Sequence, residues 1–274
     1  MRIISTLIAT AVVLLACSPS IAQESGKPTL YAEVQYMQVP AGGDDLYLQV
    51  EKAWKKIHSI RRDAGIVTQW VVCKVKRTEG PPGDYNYAVI HIFDSWDKLK
   101  KLYPSGLLEG KLALTDAEQQ AINKTREART MVRTQLWELD EVAVPSRMES
   151  ADFDDTLVLS LMKSKDLDRH VALEREVWKK IWAEAAAAGF RANWQLWICR
   201  YPGGHDKPID EAAIHLFPKG EPNKALTREW WEQAVPRIFP DKSREELEKL
   251  FEETRQVRDI PITEEWQIIL TLDK

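Results

Sequence analysis

Trp54-Lys55-Lys56-Ile57 returns as Trp178-Lys179-Lys180-Ile181, an offset of 124 (178 − 54). The same offset carries Ala64-Gly65 onto Ala188-Gly189 and Trp70 onto Trp194. It also carries Ala88, Ile90, His91 and Phe93 onto Ala212, Ile214, His215 and Phe217. Glu51–Phe93 thus lies over Arg175–Phe217 without a gap. Further on the offset is 129, taking Arg126 to Arg255, Arg129 to Arg258 and Trp137 to Trp266. That many landmarks in one register are not chance, so one unit is used twice. The period is too long for a solenoid, whose repeats run about 20–50 residues, and suits a small domain.

Working outward, each copy shows the same succession. Leu30–Val39 reads as a strand of aromatic and β-branched residues, and Pro40–Asp45 as a turn. Leu46, Val50, Ala53, Trp54, Ile57, Ile60 and Ala64 recur at helical spacing, with Gly65 where a left-handed residue ends a helix. Ile66–Val75 and Tyr85–Phe93 are strands joined across Gly80-Pro81-Pro82-Gly83. Thr115-x-x-Glu118 and Ser243-x-x-Glu246 are capping boxes opening a later helix in each copy. Val132–Leu139 and Trp266–Leu272 close the copies as last strands. The order β-α-β-β-α-β is the ferredoxin-like split βαβ, so the expected class is α+β. The expected units are 28–147 and 153–274, joined by the polar stretch Met148–Asp155.

A sheet with helices on one face needs a cover on the other, and the second copy's sheet is the simplest one. Two such units packed sheet to sheet resemble the dimeric α/β-barrel proteins. These include antibiotic-biosynthesis-type monooxygenases, NIPSNAP-like and EthD-like proteins and the haem-binding chlorite dismutases. The resemblance covers topology and duplication and implies an intramolecular barrel. It rests on no diagnostic motif and transfers no activity.

The chain has 274 residues, with 38 Lys+Arg against 42 Asp+Glu and a net charge of −4. That balance argues against a general nucleic-acid or anionic-membrane surface. Met1-Arg2 followed by the apolar run Ile3–Ala16 reads as a secretory signal, too short to span a bilayer, where about 20 residues are needed. Two cleavage sites compete: Ser20-Ile21-Ala22, which makes residues 1–22 the signal, and a lipoprotein box that makes Cys17 the acylated first residue. Either way the expected location is outside the cytoplasm, in the periplasm or anchored at the outer membrane, with membrane contact only through a lipid on Cys17. Cys73 and Cys199 remain, as one disulfide or two buried thiols. No zinc spacing is present.

Strand alternation predicts what faces the space between the sheets. In the third strand the aliphatic row Ala88, Ile90 and Ile92 is expected to meet the helices, which turns Tyr87 and His91 inward, and His215 with them. In the first strand Glu33, Gln35 and Met37 are expected inward. In the second, Gln69, Val71, Cys73 and Val75 are expected inward, matched by Asn193, Gln195, Trp197 and Cys199. The candidate ligand-binding residues are therefore His91, His215, Glu33, Gln69, Tyr87, Asn193, Gln195 and Trp197, lining a small-molecule cavity. The first reading of the paired histidines is an inherited, hydrogen-bonded core position. Trp54, Trp70, Trp178 and Trp194 read as core. Arg126, Arg129, Arg255 and Arg258 read first as a solvated helix face and second as an anion clamp. His205 reads as a solvent-facing turn residue.

No GxSxG, P-loop, GxGxxG or HExxH motif is present. No cofactor is assigned and no metal expected. Three functions stand side by side: a small-molecule-binding barrel, a cofactor-free or haem-dependent oxygenase-like enzyme using His91 or His215, and a non-catalytic surface lipoprotein. Monomer and homo-oligomer both remain open.

Overall fold

The computed structural model describes residues 30–143 and 153–272, apart from residues 82, 205, 206, 222 and 223. The segment read as an export signal, Cys17, most of the joining stretch and His205 lie outside the described residues.

The first copy contains β1 (Tyr31–Gln38), α1 (Asp44–Asp63), β2 (Gln69–Glu79), β3 (Tyr87–Phe93), α2 (Trp96–Leu99), α3 (Asp116–Asn123), α4 (Thr125–Ala128) and β4 (Thr130–Ala143). The second contains β5 (Phe153–Ser164), α5 (Leu167–Leu173), a π turn (Glu174–Trp178), α6 (Lys179–Ala187), β6 (Asn193–Tyr201), β7 (Glu211–Pro218), α7 (Arg228–Ile238), α8 (Arg244–Val257) and β8 (Arg258–Thr271). Both predicted capping boxes form, at Thr115/Glu118 and Ser243/Glu246. Gly65 and Gly189 sit at φ +68° and +76°, the left-handed positions that follow α1 and α6.

The eight strands close into one barrel in the order β1-β3-β2-β8-β5-β7-β6-β4. Each copy supplies a four-stranded antiparallel sheet, and β2–β8 and β4–β6 ladders join the two. The chain therefore has the α+β dimeric α/β-barrel architecture, made from one polypeptide.

Eight strands enclose a space just wide enough for side chains to fill. Ala32, Val34, Ala88, Ile90, Ile92, Leu157, Leu159, Leu161 and Ala212 fill it with Trp137, Trp197 and Trp266, leaving a void of about 50 Å³. Cys73 and Cys199 are buried free thiols in this cluster.

This corrects the expected facing of β1 and β3 in the first copy and of β7 in the second. Glu33, Tyr87, His91 and His215 point to the helices, and the aliphatic rows point into the barrel. The reason is size and space. Every residue of β3 is buried, so polarity does not distinguish its faces. With Tyr36, Trp137, Trp197 and Trp266 already taking most of the barrel interior, the room left beside β3 suits Ala88, Ile90 and Ile92, while Tyr87 and His91 lie under the helices. The second strand faces as expected: Gln195 and Trp197 line the void.

The repeat register also needs one correction. A π turn (i→i+5) holds one residue more than an α turn, and Glu174–Trp178 is such a turn. Before it the two helices align at an offset of 123, so Glu51 corresponds to Glu174 rather than to Arg175. After it Trp54 corresponds to Trp178, as the sequence indicates.

Candidate functional site

The eight candidates do not form one site. Asn193, Gln195 and Trp197 make a ladder inside the barrel, with Trp197 Nε1 donating to Gln195 Oε1 (2.8 Å) and Gln195 Nε2 to Asn193 Oδ1 (3.4 Å). Across from it, Tyr85 Oη and Trp266 Nε1 both donate to the buried carboxylate of Glu264. Gln69 closes the barrel end, its Oε1 accepting from Trp70 N (2.8 Å) and Leu272 N (3.4 Å). Tyr87 packs on Tyr47 beneath α1, with ring centroids 4.5 Å apart. His215 lies under the second copy's helix, edge-on to Trp182 at 4.5 Å. His91 and its neighbour Glu33 lie beneath α1, 3.7 Å apart.

Of the eight, only His91 lines the polar cavity, a space of about 410 Å³ between α1 and the outer face of the first sheet. Gln35, Met37, Val89 and His91 form its floor. One face of α1 supplies a wall, because residues 47, 51, 54, 58 and 61 follow each other at spacings of three and four. Glu51, Trp54 and His58 come from that face, and Arg126 and Arg129 stand opposite. Arg129 lies at the junction between α4 and β4, not on a helix face, because the helix ends at Ala128.

Electrostatics here are set by burial. Glu51 is 1% exposed, and its Oε1 lies 3.1 Å from Arg129 Nε. Burial pushes the Glu51 carboxyl up to about 7, with Arg129 pulling the other way. Burial, helped by Arg61 and Arg129, drives His58 down to about 3. It holds His91 well below the ordinary imidazole range, aided by His58, Arg61 and Arg129. Both histidines are therefore neutral at pH 7. Arg61 is buried under Tyr103, 4.5 Å from the ring centroid, and contacts His58 Nδ1 at 3.0 Å. Trp54 is fixed by an Nε1–H bond to Thr125 Oγ1 (3.0 Å).

The rim is apolar and open: Tyr103 is 51% exposed and Met131 55%. Both ring nitrogens of His91 are buried without a hydrogen bond, and Glu51 Oε1 and Arg129 Nε are ion-paired with each other at 3.1 Å without hydrogen-bond geometry.

Haem ligated by His91 or His215 does not fit these residues. Both His91 ring nitrogens are buried, with Glu33 3.7 Å from Nδ1 and the His58 ring edge-on at 4.9 Å. His215 is covered by Trp182. Among the described residues no group of three His, Cys, Asp or Glu side chains is placed to hold a metal ion.

Glu51, His58, Arg61 and Tyr103 were not among the sequence candidates, and Arg129 appeared only as a second reading. The signal was available: an acid, an imidazole and a guanidinium stand at stripe positions of α1, in register with Tyr47 and Trp54.

No family model and no curated protein matches the chain. Solved structures of similar fold include an anthrone oxidase-like protein (11% identity, TM-score 0.43, covering 90% of this chain and 93% of that one). A haem-binding protein from Thermus thermophilus aligns at 7% identity and TM-score 0.41, over 90% and 96%. A mutant chlorite dismutase from Candidatus Nitrospira defluvii aligns at 12% and 0.40, over 92% and 94%. These are likenesses of fold, and what those proteins bind or do is not carried over from them.

Proposed function

We propose that the protein binds a small molecule with a flat apolar body in the cavity beneath α1 of the first copy. The observation that carries this is the difference between equivalent positions. Position 58 is His in the first copy and Trp182 in the second; position 61 is Arg in the first and Ala185 in the second. In the second copy Trp182, Trp178, Trp231 and Phe251 pack on one another and fill the space with rings. In the first, a cavity of about 410 Å³ stays open, within the usual range of ligand sites, roughly 300–1,000 Å³. This moves the ligand reading from between the sheets, where only about 50 Å³ is free, to beneath a helix.

The test rewrites α1 with the second copy's residues. A panel of one- and two-ring aromatic acids, amides and phenols is screened by thermal shift against the full chain and against the His58→Trp/Arg61→Ala variant. The expected result is a rise in Tm for the full chain with at least one compound, lost in the variant. Equal shifts in both would place binding elsewhere and sink the proposal.

Export belongs to the same proposal, supported by the Ile3–Ala16 run and the small-x-small site before Gln23. Mass spectrometry of the mature N-terminus tests it: Gln23 means soluble export, and acylated Cys17 means a surface lipoprotein. An intact Met1 in cells where known exported proteins are processed would overturn export.

A further inference from the structure

The charge of the ligand, and the fate of the buried Glu51–Arg129 pair when it arrives, follow from the groups around the cavity. Three guanidinium groups, from Arg61, Arg126 and Arg129, stand at or just behind the cavity wall, against two carboxylates, Glu33 and Glu51. Arg126 is exposed and lines the cavity. The second copy arranges its arginines differently. Arg255, the counterpart of Arg126, is tied to Glu252 at 2.7 Å. Arg258, the counterpart of Arg129, stands 3.9 Å from Glu174 beneath a helix whose rings fill the space. The cavity is thus biased toward anions where its twin is not.

Arg129 can touch both an incoming anion and Glu51, but its single charge cannot offset two carboxylates, and an anion beside Glu51 favours that carboxyl's protonated form. Glu51 sits on the buried face of α1, and Arg129 is the cation set against it, at 3.1 Å. A carboxylate without its partner in such a place is costly and takes up a proton instead. We propose that the cavity takes an anionic ligand, a carboxylate on a flat apolar body, between Arg129 and Arg126. Glu51, no longer offset by Arg129, takes up one proton from solvent as the ligand binds. The exchange is balanced: the ligand's negative charge replaces that of Glu51, and no bond other than O–H is formed. This rests on the cavity being the ligand site.

The imidazoles and phenols among the charged and titratable groups around Glu51 do not account for this uptake. From α1 come Tyr47, His58 and Arg61; from β1, Glu33; from β3, His91; from the segment after α2, Tyr103; and from α4 and its junction, Arg126 and Arg129. Burial and the guanidinium groups hold both imidazoles neutral far below pH 7. Tyr47 and Tyr103 are already protonated, since burial raises them above the usual phenol range. Glu51 is the group that burial brings near neutrality.

The experiment compares 2-naphthoate with its neutral counterpart 2-naphthamide by calorimetry on the full chain, at pH 6 to 8.5, in buffers of different ionisation enthalpy. The acid is expected to bind at least tenfold more tightly than the amide. It is expected to take up about one proton at pH 8 and almost none at pH 6, its affinity rising as pH falls through 7. Glu51→Gln, nearly the same shape, keeps naphthoate binding, tightens it at pH 8 and abolishes proton uptake. A near-ultraviolet dichroism spectrum confirms its fold, and the buffer comparison on the unaltered chain needs no variant. Naphthoate binding without proton uptake, or uptake that survives Glu51→Gln, overturns the inference. So does an amide that binds as well as the acid, although a site still lost in His58→Trp/Arg61→Ala would then stand as the ligand site. Failure of every aromatic compound to bind overturns both readings.

Discussion

Five positions on one helix face, two shared and three changed, set the two copies side by side. In the first they are Tyr47, Glu51, Trp54, His58 and Arg61, and in the second His170, Glu174, Trp178, Trp182 and Ala185. The acid and the first tryptophan are held in common, with their partners: Glu51 faces Arg129 as Glu174 faces Arg258, and Trp54 donates to Thr125 as Trp178 does to Thr254. The rest diverges in a coordinated way. In the second copy His170 enters a closed chain, Nε2 3.1 Å from Glu174 and Nδ1 2.5 Å from Glu211, and Ser164 Oγ also donates to Glu211. At the places of His170 and Glu211 the first copy has the ring pair Tyr47–Tyr87. One copy gathers its buried acids around an imidazole and closes the space above them with rings. The other leaves its buried polar groups beside an open cavity, which is how a duplicated fold can keep one half as scaffold and the other as site.

Removing the shared acid from each copy gives the largest effect. Glu174→Ala strips the fully buried His170 of one of its two acids and Arg258 of an ion-pair partner beneath packed rings, and breaking a buried pair in this way costs about 3–5 kcal/mol. Glu51→Ala leaves Arg129 beside a cavity that water can enter, so the cost is that of a partly hydrated donor, about 1–2 kcal/mol. Urea denaturation of both variants measures the gap. Equal losses would show that the first cavity is as dry as the second interior, and the comparison would collapse.

The duplication was legible because rigid landmarks survive: large rings in the core, a glycine at each helix end and the turn signals between strands. Facing was not legible in β3, because alternation reports exposure and that strand has none; in β1 the alternation is present, but its half-buried polar row, Glu33 and Gln35, lies under the helix rather than inside the barrel. Ile90 and His91 are both buried, so only the volume available on each side decides between them. The extra residue in the π turn was hidden because Glu51 and Arg175 look like an ordinary substitution, and only the arginine partners show that Glu174 is the true counterpart. An apolar period along α1 does not disclose the site. Glu51, His58 and Arg61 share its buried face but interrupt that period.

Histidine titration separates the copies at the next level of magnitude. His58 and His215 are each held at about 3, both chiefly by burial, and His91 well below its ordinary value for the same reason. A base depressed in the folded state protonates first when unfolded. Its stabilisation is therefore present above about pH 6.5 and lost as pH falls. His170 has the opposite sign. Burial pulls it down, but its hydrogen bonds to Glu174 and Glu211 outweigh that and raise it, so its contribution is present below about 6.5 and lost as pH rises through its folded value. Between pH 6.5 and 5, each depressed histidine is expected to remove up to about 1.4 kcal/mol per pH unit. His215→Gln should flatten this limb by one proton, and His170→Gln should steepen it. If His170→Gln left the pH dependence unchanged, that imidazole would be neutral in the fold, and its chain of partners would not be the ionic counterpart of the first copy's tyrosines.

The smallest effect should be the one the copies share. Trp54→Phe and Trp178→Phe each remove an indole N–H donor while keeping a ring, leaving Thr125 and Thr254 with their bonds to Ile122 and Leu250 carbonyls. The lost hydrogen bond is worth about 1 kcal/mol in either place. Any difference must come from the ring edge that phenylalanine fails to fill. Trp178 is braced by Trp182, Trp231 and Phe251, so truncation there opens a void among packed rings, whereas Trp54 borders a space that is already open. Trp178→Phe should therefore cost more by a few tenths of a kcal/mol up to about 1 kcal/mol, and naphthoate binding should weaken only in Trp54→Phe. A reversal of either order would mean that the first cavity is packed in solution and that Trp54 is scaffold like its twin.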